Sequence, residues 1–392
     1  MLEVGSFPLL GRLVALRFIE WAQRSPGGVC ALPTGRTPEH FINWTKKLLE
    51  GWDEPGTREL LEEGGVDVRK GKPDMASLRF VQLDDFYPMH PSHPNRFTNY
   101  VRALYVDALG MDQAKAMLMD DLWTMGCDEG TNAGELFEAG IDLTLRDRPA
   151  ASELEERQAR AIRAVDEYCS RYEAGVRAMG GIGFFLGGIG PDGHVAFNCR
   201  GAPRHCVTRL TATNYETQAA AAGDLGGIEM ARVGAVVTIG LDTITHNKDC
   251  VALIMAAGDA KAAVVRDAVQ RPMSDSVPCS ALRDLPHARF ILTHSAASKL
   301  AARRTLDLFK ALNAAPAPHE WRGPADVPAA AVECVTELAL RLGRRVCELR
   351  AKDCAACERT RHALRLGGWG CAGGPQREAL EVRRGVTLQN RA

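Results

Sequence analysis

Six short apolar runs, "GVCALP", "LRFVQLD", "GIGFFLGG", "GAVVTIGL", "CVALIMAAG" and "ARFILTH", recur between longer stretches of helical periodicity. A strand that is apolar along its whole length has both faces covered, and strands separated by helices pair in parallel because each helix returns the chain to the same end of the sheet. The expected fold class is therefore α/β: a doubly wound, mostly parallel sheet with helices on both faces. The stretch "ELEERQARAIRAVDEYCSRYEAGV" fits this scheme, with apolar positions at helical spacing and charges opposite them, as in a helix laid over a sheet. With 46% hydrophobic residues, a chain of 392 residues can bury one large core and still carry an appendage.

Two regions interrupt the alternation. Residues from about 106 to 150, centred on "MGCDEGTNAGELFEAG", read as an inserted excursion of turns and short helices. Residues 313 to 331, "NAAPAPHEWRGPADVPAAA", are rich in Ala and Pro and mark a linker or domain edge. The expected division is an α/β domain over 1–315 and a helical, Arg- and Cys-containing extension over 316–392, whose tail shows little pattern. The net charge of −1 gives no argument for nucleic acid or an anionic membrane, so a small molecule is the expected partner. The N-terminus lacks the layout of a secretory signal, and no apolar run approaches the roughly 20 residues of a membrane-spanning helix. The twelve cysteines mostly lie singly in apolar segments, the setting of reduced core thiols, and together these features point to a cytoplasmic chain.

Ligands of doubly wound sheets bind beyond the carboxyl ends of the strands, and four such ends carry chemistry here. In "FFLGGIGPDGHVAFNCR", Gly188, Gly190 and Gly193 form a G-x-G-x-x-G, but Pro191 follows and no helical period begins, which argues against a dinucleotide site. Asp192 and His194 are spaced so that the carboxylate can orient or charge the imidazole, making His194 an acid/base group; an Asp-Gly turn beside a satisfied His is the plainer alternative. In "RFVQLDDFYPMHPSHPNRF", Asp84 and Asp85 follow a strand. Adjacent side chains of an extended backbone point opposite ways, so one of the two faces the cleft, where a desolvated carboxylate can act as a general base. In "VCALPTGRTPEHF", Thr37 caps a helix opened by Pro38. The N–H groups there, with Thr34, Gly35, Arg36 and Thr37, form a phosphate cradle, although an ordinary βα turn would look the same. In "ALIMAAGDAKAAVV", Lys261 sits in a first helical turn, where a bound anion gives a cation a reason to be.

These residues resemble the glucosamine-6-phosphate deaminase/isomerase family, which shares its fold with the 6-phosphogluconolactonases. The resemblance rests on "LPTGRTP" (family LPTGGTP), "LDDFYPMHPSHPNRF" (family MDEYxGL, then HPxSY), "GGIGPDGHVAFN" (family GGxGxDGHIAFN), "TRLTATNYET", "VTIGLDTI" and "GDAKA". It implies a Rossmann-like sugar-phosphate isomerase fold and conversion of glucosamine 6-phosphate to fructose 6-phosphate and ammonia. Asp84 would then move the proton from C2 to C1, and His194, supported by Asp192, would open the ring. Thr34 to Thr37, Arg209 and Lys261 would hold the phosphate, with Asp85, Gly188, Gly190 and Gly193 completing the substrate site. No metal and no cofactor are implied, and self-assembly stays open. Three positions depart from the family: Cys199 stands where it has Glu, Arg36 where it has Gly, and Asp85 where it has Glu. A lactonase that activates water with His194, and a sugar-phosphate sensor without turnover, are the alternatives.

His90 and His93 lie among prolines and read as a solvated loop rather than metal ligands. Cys354, Cys357 and Cys371, with His362, offer either a zinc site or reduced thiols in a helical segment.

Overall fold

The computed structural model describes residues 2–225 and 235–301, and three short strands beyond them at 369–372, 379–382 and 386–387. Seven strands form a wholly parallel sheet: β1 (Leu2–Val4), β2 (Val29–Ala31), β3 (Arg79–Val81), β5 (Ala116–Met117), β6 (Phe184–Gly188), β9 (Val251–Ala256) and β10 (Arg289–Thr293). Their order is β1-β10-β9-β6-β2-β3-β5. On the central strands, successive side chains are buried on opposite faces: Phe184 and Leu186 join the cluster built on helices Phe7–Arg24 and Glu39–Glu50, whereas Phe185 and Ile254, also fully buried, point the other way. Continuous burial of this kind is what the unbroken apolar runs record.

"GAVVTIGL", expected in the parallel sheet, does not join it. Strand β8 (Ala235–Thr238) instead lies between β4 (Asp84–Tyr87) and β7 (Arg209–Thr211) in a separate antiparallel sheet. A run buried on both faces reads the same in either setting, because periodicity carries no information about strand direction. Two edge strands escape the sequence reading. β1 is three residues long, and β5 has two residues inside the supposed insertion, where it pairs with β3. Otherwise, residues 106–150 are turns and short helices, as expected.

The long helix Glu153–Ala178 begins at Ser152, whose hydroxyl accepts the Glu155 N–H. It buries Ile162, Val165 and Tyr172, and the Tyr172 hydroxyl donates to the carbonyls of Gln82 and Met117 at the ends of β3 and β5. Thr37 does not cap the following helix: the chain enters at Pro38 without a side-chain cap, and Thr37 is exposed.

The chain divides into units of residues 1–297 and 298–392, just past the last parallel strand, whereas the sequence places the boundary at 315. In the second unit, β11 (Trp369–Ala372), β12 (Ala379–Val382) and β13 (Val386–Thr387) form an antiparallel sheet in the tail where no pattern is legible. The expected helical extension, with Cys354, Cys357 and His362, lies outside the described residues. Among the described residues no helix is long and apolar enough to cross a membrane.

Candidate active site

The carboxyl ends of β2, β3, β6 and β9 converge on a cleft of about 370 Å³. Of the residues singled out in the sequence, Thr34, Arg36, Thr37, Asp84, Gly188, Gly190, His194 and Lys261 line it. Gly35, Asp85, Asp192, Gly193 and Arg209 do not. Asp192 and Asp85 stand behind residues that do, Gly193 shapes a turn, and Arg209 turns elsewhere.

The two adjacent carboxylates have opposite fates, as an extended backbone requires. β4 is locked to β8 with Asp84 opposite Thr238, and Gln82 donates its amide to the Asp84 carbonyl. The Asp84 side chain lines the cleft, 5% exposed, and its carboxyl receives no hydrogen bond among the described residues. Burial, and secondarily the charge of Asp85, push its pKa up to about 8. Asp85 turns from the cleft into a closed set of donors: the N–H groups of Phe86 and Phe97 at 3.0 and 3.3 Å, the Thr98 hydroxyl at 2.7 Å and the Arg96 Nε at 3.1 Å. Burial pushes the Asp85 carboxyl up, and the Arg96 charge and Thr98 hydroxyl draw it back. Arg96, 4% exposed, completes its own bonding with the carbonyls of Met119 and Asp120. Asp85 is therefore a buried anchor for residues 96–98 and does not touch the cleft, contrary to its expected place in the substrate site.

The turn after β6 explains its glycines. Gly190 donates its N–H to the His194 carbonyl, and a Cβ on Gly190 would fall 2.0–2.3 Å from three imidazole ring atoms, so only glycine lets the ring lie there. Gly193 has φ +89°, and a Cβ there would approach Val277 at 2.9 Å. Residues 191–201 continue as turns, so this glycine pattern opens no helix.

His194 Nδ1 lies 2.6 Å from Asp192 Oδ1. An ionised carboxylate only accepts, which assigns the proton to Nδ1 and leaves Nε2 for the cleft. Asp192 Oδ2 accepts from the Arg200 N–H at 3.0 Å and from the Asn214 amide at 2.6 Å. Burial raises the Asp192 carboxyl, but the His194 bond and charge outweigh it, with Arg200 and Asn214 adding to them. They hold it well below the usual carboxylate range. Phe197 stacks near-parallel to the imidazole, 6.1 Å between centroids, above a cluster with Phe86 and Phe97.

Cys199 is not alone beside this pair. Its Sγ is 3.5 Å from the Thr217 hydroxyl, which is 3.0 Å from His194 Nδ1, and burial pushes the thiol above its ordinary value. Thr217, buried and lining the cleft, was missed by the sequence reading; "TNYET" contains no signal that its hydroxyl meets a histidine 23 residues earlier.

On the opposite wall, the loop after β2 is held from behind. The Tyr105 hydroxyl donates to the Pro33 carbonyl at 2.6 Å and Tyr100 donates to the Gly35 carbonyl at 2.9 Å, with Gly35 at φ +84°. Lys261 closes a 3₁₀ turn and stands at the entry to helix Ala262–Gln270; desolvation lowers its pKa, with the Asp192 charge opposing. Arg209 is outside the cleft lining, and its Nη1 donates to Asn198 Oδ1 at 2.9 Å and to the Val207 carbonyl at 3.3 Å. His90 and His93 accept backbone N–H groups of Ser92 and Asn95 through Nδ1, which accounts for both within their loop.

No family model matches the chain. A glucosamine-6-phosphate deaminase of Streptomyces coelicolor is 26% identical over 290 residues, covering 74% of this chain and 88% of that protein. A monomeric glucosamine-6-phosphate deaminase of known structure superimposes with a TM-score of 0.56 over 76% of this chain and 98% of its own, at 20% identity, a likeness of fold. Glucosamine-6-phosphate deaminase 2 of Giardia intestinalis is 33% identical over 289 residues, 74% of this chain and 87% of its own length. At that identity over nearly a whole relative, with the strand-end motifs gathered around one cleft, the chain belongs to the glucosamine-6-phosphate deaminase family.

Proposed function

We propose that the chain converts glucosamine 6-phosphate and water to fructose 6-phosphate and ammonia. The observation that carries this reading is Asp84: a buried carboxyl without a hydrogen-bond donor among the described residues, facing the same cleft as a histidine oriented by a buried aspartate. A general base for a carbon-bound proton needs such a group, since hydrogen bonds to a carboxylate lower its basicity.

The sugar phosphate enters with its phosphate against Thr34, Gly35, Arg36 and Thr37, where Lys261 supplies a second cation. His194 Nε2, with Nδ1–H held on Asp192, takes the proton of the C1 hydroxyl and passes it to the ring oxygen, and the ring opens to the aldehyde. Asp84 as carboxylate removes the C2 proton, giving an enolamine, and returns it to C1. The resulting imine at C2 adds water and releases ammonia. Arg209, expected from the resemblance to touch the phosphate, is left out of this placement because it does not line the cleft and its Nη1 is held by Asn198 and Val207.

Support for His194 comes through Asp192 and the Thr217 hydroxyl, with Cys199 behind it as a neutral thiol. The test is proton NMR of the full chain with glucosamine 6-phosphate in D2O, coupled to ammonia detection. Fructose 6-phosphate and equimolar ammonia are expected, with deuterium at C1 in the fraction of turnovers in which the proton on Asp84 exchanges with solvent before its return. Unchanged substrate with no deuterium entering at C2 would remove the assignment.

A further inference from the structure

Asp192, His194 and Cys199 each offer one ligand atom, a carboxylate oxygen, an imidazole nitrogen and a sulfur, and these atoms all lie within 4.8 Å of one another. We propose that this trio is a site for a borderline-soft divalent cation of the Zn2+ class, and that the ion competes with the acid/base role of His194.

Three observations carry it. The donor set is mixed: a thiolate with an imidazole favours Zn2+ over Mg2+ or Ca2+, which prefer oxygen-only shells. The trio is also close to the size an ion requires. Tetrahedral bonds of about 2.0–2.3 Å hold neighbouring ligand atoms roughly 3.4 Å apart, so the Asp192–His194 contact of 2.6 Å widens slightly and the sulfur closes in. Finally, the outer contacts that fix a metal ligand are in place: Asp192 is held through its second oxygen by Arg200 N–H and Asn214. Thr217, which lines the cleft, lies beside the trio, its hydroxyl 3.5 Å from Cys199 Sγ and 3.0 Å from His194 Nδ1.

Binding releases one proton net: the Cys199 thiol proton leaves to solvent, while the imidazole proton moves by way of solvent from Nδ1 to Nε2, so that Nδ1 gives the metal its lone pair and Cys199 its thiolate. His194 can then no longer draw on Asp192 to become imidazolium, so the cation is an inhibitor of the ring-opening step; that consequence rests on the proposed deaminase function, whereas binding itself does not. Cys199, His194 and Asp192 follow no standard ligand spacing, so the sequence alone implies no metal here.

The test uses Co2+ as a spectroscopic probe of the full chain. Expected are a near-ultraviolet thiolate-to-cobalt charge-transfer band and visible bands of tetrahedral intensity, displaced by Zn2+. Cys199→Ser, checked for unchanged thermal unfolding, should lose the charge-transfer band and bind more than about 100-fold more weakly, because a hydroxyl is not deprotonated at neutral pH. No band in the parent chain, or a band that persists in Cys199→Ser and so arises from other cysteines, would overturn the site. If Cys199→Ser unfolds, Cys199→Ala takes its place under the same criteria. Activity is read separately: micromolar Zn2+ should inhibit deamination and a chelator should restore it. A chain that binds Co2+ through Cys199 but never deaminates retains the metal site and loses only the proposed reaction.

Discussion

Replacing Asp84 with asparagine should inactivate the protein and stabilise it, with a pH dependence that identifies the cause. The carboxyl titrates near 3.8 when unfolded and is pushed up to about 8 in the fold. A group whose folded pKa is raised contributes stability below its unfolded pKa and loses it as pH rises toward the folded value. At pH 7, about 3.2 pKa units above the unfolded value, at about 1.36 kcal/mol per unit, the penalty reaches about 4 kcal/mol as an upper limit. Water drawn to the carboxylate from the cleft lowers that figure. The amide of Asp84→Asn does not titrate and the native carboxyl has no donor to lose, so the variant is spared most of this penalty. Thermal unfolding of both proteins from pH 4 to pH 9 should give nearly equal Tm at pH 4 and a gap that widens to several degrees by pH 8. Turnover at any pH should fall by about 10²–10⁴ or more. A gap independent of pH would refute the desolvation argument, and persistent C2 proton exchange would remove Asp84 from the base role.

Three further outcomes follow from the same geometry. The acid limb of kcat/KM should lie near pH 8 rather than near 4, since the base must be ionised and burial holds it protonated at lower pH; a limb below about pH 6 would contradict this. Gly190→Ala should cost at least about 10²-fold in kcat while leaving the chain folded, because the methyl group occupies the imidazole's place; unchanged kcat would show that the ring does not need that position. Asp85→Asn should lower stability by about 3 kcal/mol by leaving Arg96 buried without its anion, read from urea unfolding; a loss below about 1 kcal/mol would show the pair to be dispensable.

The four strand ends were legible because a fully buried parallel strand must stop where polar chemistry begins, and Thr34, Asp84, His194 and Lys261 all stand just beyond such stops. The division of labour between Asp84 and Asp85 was also readable, as it depends only on the alternation of an extended chain. What escaped depends on distant partners. The direction of β8 is decided by β4 and β7, and its own four residues would suit either sheet. Thr217, Tyr100 and Tyr105 each matter through one hydroxyl whose partner is 23 to 72 residues away. Arg209 was assigned from the resemblance, and its engagement by Asn198 is a matter of rotamer rather than of sequence.

The segment from Arg96 to Tyr105 grips the cleft at two points. At one end Arg96 and Thr98 clasp Asp85, the immediate neighbour of Asp84; at the other Tyr100 and Tyr105 hold the carbonyls of Gly35 and Pro33. Asp84 and the loop facing it are thus fastened to one yoke. Both walls of the cleft therefore hang on one short segment, like the jaws of calipers on a single bar, and a substitution that displaces residues 96–105 should disturb both at once.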